Sequence, residues 1–465
     1  MFATIAAKDV REIIRDGRLL WAGGLVVLLM LVALAAGWNR QAQVSSERLA
    51  GQALDYEAWL QQGNRHPHDA AEQGMHVFKP QPPLAVLDPG IEPFVGSTVW
   101  LQAHRQSELK FRPAQDTTGL QRFGELSPAW ILQVLIPLLI IIIGFNAVSG
   151  ERERGTLRQL LSIGVSTRSL LLGKAAALAT CVAALIVPLG LAFAAIAVAR
   201  LPAGERLDVI YRMAWIAAGY GLYLGFYLFL TLAVSAFARS SRMALVLLLG
   251  LWVATTLIAP RAASETANLL YPTPSRLAFD DHFSHDLSEA RDKAWTAHFG
   301  ARTRWDASVP LSKWGAALKV DDEAGYGVMD EIFGRLWDTF ERQQRFQQWV
   351  GVVAPVTALR GFSMGLAGTD FSQHRDFSTA AEDQRRKIQD IVSADLIEHA
   401  DSRGNAHFTY KAGAELWATV PQFQYELPRV SFALAHHWPS LALLGLMFCF
   451  SAGLAGYALS RPLMR

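Results

Sequence analysis

Cysteine is scarce: Cys181 and Cys449 are the only two in 465 residues, and both fall within apolar runs. No disulfide framework is available, and no CxxC or Cys/His zinc spacing occurs, so both thiols read as packing residues. Charge is thin as well. Asp, Glu, Lys and Arg make up 18% of the chain, whereas about a quarter is usual in soluble domains. Basic and acidic residues nearly cancel, 43 against 41, which argues against a basic face for nucleic acid. Internal repeats and low-complexity tracts are missing too. What the chain has is hydrophobicity, 51% of its residues, gathered into six uncharged runs. Collagen-like, disordered and disulfide-stapled classes are excluded, and an integral membrane protein is the first reading.

The runs are 19–38, 129–148, 177–199, 213–237, 243–260 and 439–459. About 20 apolar residues cross some 30 Å of hydrocarbon as a helix that closes its own hydrogen bonds. Five runs meet this easily, and 243–260 is the shortest. The first imitates a signal peptide at Ala33-Leu34-Ala35, but it is long for one and acidic residues precede it, so a retained helix is expected. Segments 1–18, 149–176, 238–242 and 460–465 carry Lys and Arg at about twice the density of the remaining loops. The positive-inside rule then places both termini of a multi-pass membrane protein in the cytoplasm.

Residues 39–128 and 261–438 fall on the other side. The expected architecture is an α-helical integral membrane protein with six transmembrane helices. To these is added a mixed, mainly helical extracytoplasmic domain built from the two insertions. The first insertion carries turn signals at Lys79-Pro80-Gln81-Pro82-Pro83 and Asp88-Pro89-Gly90. The second has helical periodicity over 281–299, 330–350 and 380–399, with Ile332, Leu336, Phe340 and Phe346 on one face.

The cytoplasmic segments carry the most specific pattern. Residues 1–18 set Phe2, Ile5, Ala6, Val10, Ile13 and Ile14 against Lys8, Arg11, Glu12, Arg15 and Arg18. That is an amphipathic helix at the membrane surface, or else a basic topogenic leader. In 149–176, a charged helix opens at Ser149-Gly150-Glu151-Arg152-Glu153-Arg154-Gly155-Thr156-Leu157-Arg158. Leu157, Leu160 and Leu161 form an apolar edge before a Gly-bearing turn and Gly173-Lys174. The pattern resembles the loop of ABC-2-type transporter permeases, where E-x-E-x-G-T-L leads into G-K at the next span. Phe78-Lys79-Pro80, Leu87-Asp88-Pro89-Gly90 and Ala367-Gly368-Thr369-Asp370 look like a bacterial subgroup of that family with large outer insertions.

The resemblance implies a permease that pairs with a second permease, a copy or a relative, and docks on an ATP-binding subunit. Glu151, Glu153, Gly155, Thr156 and Arg158 would belong to the coupling loop, and Arg11 and Arg15 to the interface helix. ATP and Mg would be bound by the partner subunit, with no cofactor in this chain, and export is the expected direction. The nearest approach to a phosphate loop, Gly164 to Ala175, has eight residues between its glycines instead of four and no hydroxyl after Lys174.

Within the spans, Ala217, Gly221 and Gly225 form a small-residue stripe, and Tyr220, Tyr223 and Tyr227 share a face. Both fit helix packing, and the tyrosines also suit a path for an amphipathic substrate. In the outer part, Gly361-Phe362-Ser363-Met364-Gly365 matches a nucleophile elbow, the basis of an alternative reading as a membrane-anchored hydrolase using Ser363. The preceding residues do not read as the buried strand that an elbow needs. Two histidine clusters, His66/His68/Asp69/His76 and Asp281/His282/His285/Asp286, offer metal-ligand types. In the second, His282 and His285 are the metal candidates, weighed against a solvated, Asp-capped helical turn.

Overall fold

An apolar segment in lipid must close its own backbone hydrogen bonds, and each of the six runs lies in a helix. The computed structural model describes residues 2–108 and 126–460. Met1, residues 109–125 of the first insertion and the basic tail 461–465 lie outside the described residues. A surface helix, α1 (Phe2–Arg15), turns at Gly17 (φ 79°) into α2 (Arg18–Leu60). After α3 (Pro67–Gln73), β1 (Met75–Phe78) and β2 (Thr98–Leu101) form an antiparallel ribbon with Met75 opposite Leu101. The remaining long apolar helices are α4 (Pro128–Glu153), α6 (Thr167–Ala199), α7 (Arg206–Phe237) and α8 (Ser241–Leu270). The short α5 (Thr156–Ser162) stands between α4 and α6. The polar helices follow as α9 (Arg276–Phe299), α10 (Trp314–Trp349), α11 (Pro355–Ala367), α12 (Phe371–Asp395) and α13 (Ala414–Thr419). The last apolar helix is α14 (Val430–Ser460). Among the described residues, six helices are thus long and apolar enough to cross a membrane.

These helices outrun the apolar runs. α6 begins ten residues before Ala177, where the Ser166 hydroxyl caps it by accepting from the Ser169 N–H. α8 passes through Pro260 to Leu270, because a π-helical turn at Val253–Ile258 absorbs the missing donor. α4 does the same at Pro137 with a π turn over Ile131–Leu135. Proline there has no N–H for the Gln133 carbonyl four residues earlier. The Tyr223 hydroxyl donates to that carbonyl instead, at 2.6 Å. The Trp252 indole N–H donates to the neighbouring Val134 carbonyl at 3.2 Å.

α7 is the centre of the bundle, packed on α4, α6, α8, α14 and α11. Close approach needs glycine at two points. A Cβ on Gly225 would lie 2.7 Å from the Phe448 ring of α14, and one on Gly219 would lie 2.7 Å from the Phe362 ring of α11. Ala217 and Gly221 of the expected stripe point outward, and Gly219 makes the second contact in their place. α11 is the unexpected element. It is drawn from the second insertion, yet Val356, Leu359, Phe362 and Leu366 belong to the core of the bundle.

The two insertions share one core. Trp59, Val77 and Leu101 from the first pack with Phe377, Ile388 and Trp417 from the second. The Trp59 and Trp417 indoles meet edge-on at 5.7 Å, and Trp59 donates to the Trp417 carbonyl at 3.1 Å. Trp417 is fully buried, and its own N–H bonds the Gly63 carbonyl. Trp417→Ala is expected to destabilise the domain by about 3–5 kcal/mol, read as a shifted unfolding midpoint of the detergent-solubilised chain.

Candidate functional site

A buried cluster of ion pairs lies where α1 crosses α6. Gly173 sets the distance, since a Cβ there would come within 2.7 Å of Ile5 and 3.1 Å of the Phe2 carbonyl. The neighbouring Lys174 is only 2% exposed. Its ammonium donates to Asp9 of α1 at 3.1 Å and to Glu151 of α4 at 3.0 Å. Lys8 adds a second cation, 3.2 Å from Glu151. Partial burial works against the Lys8 charge, but the Glu151, Asp9 and Glu12 carboxylates together raise its pKa above the ordinary lysine value. The Gly-Lys pair thus has a physical role: the glycine admits the helix, and the lysine neutralises the carboxylates that helix and loop bring with them.

The residues after Glu151 tie α4 to its other neighbours. The Arg152 guanidinium donates to the Ala236 and Ala238 carbonyls, both at 2.6 Å, at the C-terminal end of α7. Cations at helix C-termini are stabilising. The Glu153 carboxylate accepts from the Ser241 N–H at 2.9 Å and its hydroxyl at 2.7 Å, where α8 begins. Gly155 (φ 77°) turns the chain into α5, the Thr156 hydroxyl donates back to the Glu151 carbonyl, and Leu157, Leu160 and Leu161 pack with Leu170.

The residues assigned to coupling therefore divide in two. Glu151 is buried against Lys174, and Glu153, though exposed, is bonded to Ser241 within the chain. Arg11, Arg15, Gly155 and Arg158 are exposed. Ile163, which the sequence pattern did not single out, is 72% exposed at the end of α5. Asp9 and Lys174 were also missed as a pair, because nothing in their spacing places them together.

At the opposite end of the bundle a second polar layer joins it to the polar domain. Ser363 does not stand at a strand-to-helix turn. It lies within α11, fully buried, and donates to Asp88 at 2.5 Å beside the Tyr220 hydroxyl at 3.2 Å. Its hydrogen-bond partners are a carboxylate and a phenol instead of the imidazole a nucleophile would use. Gln133 donates to Tyr220 at 3.0 Å and accepts from Arg360 at 3.3 Å. Tyr227 bonds Thr255 and Thr256. With all three tyrosine hydroxyls bonded and their rings buried, the geometry favours packing over a substrate path.

The Asp88-Pro89-Gly90 and Gly368-Thr369-Asp370 segments interlock here. Ile91 donates to the Thr369 carbonyl and the Thr369 hydroxyl to the Asp88 carbonyl, both at 3.0 Å. Gly90 (φ 49°) has no room for a Cβ against Thr369. Nearby, Lys79 is buried and paired with Glu92. Arg212 pairs with Asp208 at 2.6 Å and donates to the Leu366 and Pro428 carbonyls, while Asp208 accepts from the Val430 N–H that opens α14. Burial pushes the Asp88 carboxyl pKa up, and the Ser363 and Gly90 bonds only partly offset this. Burial alone would also raise the Asp370 pKa, but the His437 contact at 2.8 Å holds it below the usual carboxylate range.

The metal candidates His282 and His285 are exposed along α9, and among the described residues they join no metal-binding group. The first cluster divides: His76 pairs with Asp55 at 2.9 Å, whereas His68 turns toward His104.

Lys174→Met leaves Asp9 and Glu151 buried with only the half-exposed Lys8. It is expected to destabilise the chain by about 3–5 kcal/mol, measured by thermal or denaturant unfolding in detergent. A native carboxyl with a raised pKa stabilises the fold fully below its unfolded pKa of about 3.9, and that contribution is lost as pH rises through the raised value. Asp88→Asn is therefore expected to flatten the fall in stability above about pH 4, measured as unfolding midpoints across a pH series.

Comparison with known proteins bears on the whole arrangement. A profile of ABC-2 family transporter proteins matches residues 3–305. A second profile, a domain of unknown function (DUF3526), matches residues 265–426. No curated protein matches the chain. The first profile covers more than half of the chain, from α1 through the five apolar helices α2, α4, α6, α7 and α8, and the chain belongs to the ABC-2 family of transporter proteins.

Proposed function

We propose that this membrane transporter subunit is driven by a separate ATP-binding subunit that docks on the exposed face formed by α1 and the α4–α5 turn. The observation that carries the reading is the Lys174–Asp9–Glu151 contact. It binds interface helix, loop and α6 into one unit, and Arg152 and Glu153 extend that unit to α7 and α8. A push on the outward residues Arg11, Arg15, Arg158 and Ile163 would therefore reach four membrane helices. Exposed charges around one apolar residue suit a specific, reversible contact.

ATP and Mg are assigned to that partner. Lys174, the lysine of the near-miss phosphate motif, already faces two carboxylates inside the bundle. The density of Lys and Arg around α1, α5 and the α7–α8 turn supports cytoplasmic termini in a bacterial inner membrane, with the polar domain on the outer side. Export across that membrane, with a second permease as partner, is the transport reading. A mechanical output is favoured by the Asp88–Ser363–Tyr220 layer, because motion of α7 would pass through it into the polar domain.

Purified from its native membrane, the full chain is expected to bring with it an ATP-binding subunit and its ATPase activity. Ile163→Asp combined with Arg158→Glu is expected to lower the recovered ATPase at least about tenfold, roughly 1.4 kcal/mol of docking energy, with the unfolding midpoint unchanged. Recovery of the chain without any ATP-binding protein would overturn the proposal.

A further inference from the structure

We propose that His68, Glu72 and His104 form a binding site for a divalent transition metal, with zinc the best chemical fit. His68 and Glu72 are one turn apart on α3, and His104 follows β2 in the next turn of the chain. The three ligand atoms converge within 4.8 Å of one another. The two imidazole Nε2 atoms are 3.5 Å apart, and His68 Nε2 is 3.5 Å from a Glu72 oxygen. Ligands about 2.0–2.1 Å from a tetrahedral zinc are separated by about 3.3–3.4 Å, so both edges have nearly the right length. A direct hydrogen bond between the rings would be shorter, about 2.7–3.2 Å.

The surroundings orient His104 for this role. Asp322, itself buried, meets its Nδ1 at 2.9 Å. A carboxylate accepting from the Nδ1–H leaves the Nε2 lone pair facing His68, the arrangement that metal-bound histidines commonly use. The His104 backbone is left-handed (φ 67°), rare outside glycine, and Arg291 holds its carbonyl at 2.5 Å. Backbone strain of this kind persists where the surroundings impose it, often at ligand sites. The adjacent Asp321 is already engaged by Arg291 and Arg304 and stays outside the ligand set.

Two imidazoles and one carboxylate suit zinc, and three protein ligands leave a position for water or an incoming ligand. Glu72 and His104 line a cleft of about 480 Å³ that supplies the space. The ligands come from the first insertion, and Asp322 and Arg291 come from the second. A bound ion would therefore tie α3 to the turn after β2 within the first insertion, while Asp322 and Arg291 link His104 to the second.

The test uses the full-length chain in detergent, stripped with EDTA and titrated with Co²⁺ as a visible probe and with Zn²⁺ in competition. One Co²⁺ per chain with ligand-field absorption, displaced by Zn²⁺, is expected. His68→Ala and His104→Ala should abolish it, and Asp322→Asn should weaken it by about 10–100-fold. The paired control His282→Ala and His285→Ala should bind as the unsubstituted chain does. Glu72 is exposed, so Glu72→Gln keeps the test valid where a histidine variant fails to fold, and at least a tenfold loss is expected. Absence of the absorption at micromolar Co²⁺, or full affinity in Glu72→Gln and His68→Ala, would overturn the site.

Discussion

Burying an ammonium inside an apolar bundle is costly unless carboxylates meet it there, and Lys174 imposes that condition on three separate segments. Asp9 must arrive on α1, Glu151 must close the end of α4, and Gly173 must leave room for α1. The position of α1 and the direction of the α4–α5 turn follow. Once Glu151 is fixed, the next two residues can only reach the ends of α7 and α8, where their charges complement a helix C-terminus and a helix N-terminus. One charge placed where it is expensive thus organises an entire face.

The interior of the bundle obeys a parallel rule for neutral groups. Pro137 and Pro260 each remove a donor in a medium without water, and the chain responds with π turns and borrowed hydroxyls or indoles. Tyr223 is therefore tied to Pro137, although the two residues belong to different helices. The same economy explains Ser363. Within a helix its hydroxyl is a convenient donor for the buried Asp88, and Gly365 serves helix packing, facing His437 so closely that no Cβ would fit.

Much of this was legible in the chain itself. Six uncharged runs predict six apolar helices, and the Glu-Arg alternation with Gly-Lys identifies the family. The helix limits were harder to read, because charge marks the edge of hydrocarbon and not the edge of a helix. Thr167–Lys174 and Val430–Trp438 continue their helices through polar or interfacial surroundings. α11 was hidden because thirteen residues are too few to span a bilayer, so a short apolar helix packed into the bundle gives no membrane-span signal of its own. The residue pairs that matter most are separated by more than a hundred positions, as in Asp9 with Lys174 and Asp88 with Ser363. His68 and His104 are closer in sequence, yet a ribbon and a left-handed turn bring them together.

α2 runs unbroken for 43 residues from the glycine turn beneath the bundle to Trp59 in the core of the polar domain. At 1.5 Å per residue this is a rod about 64 Å long, opening at a glycine turn and embedded at its far end. Tilting it by about 5° would carry its far end about 5–6 Å, more than the width of one side-chain contact. A small rotation at Gly17 would therefore arrive at Trp59 magnified, as a lever magnifies the movement of its short arm.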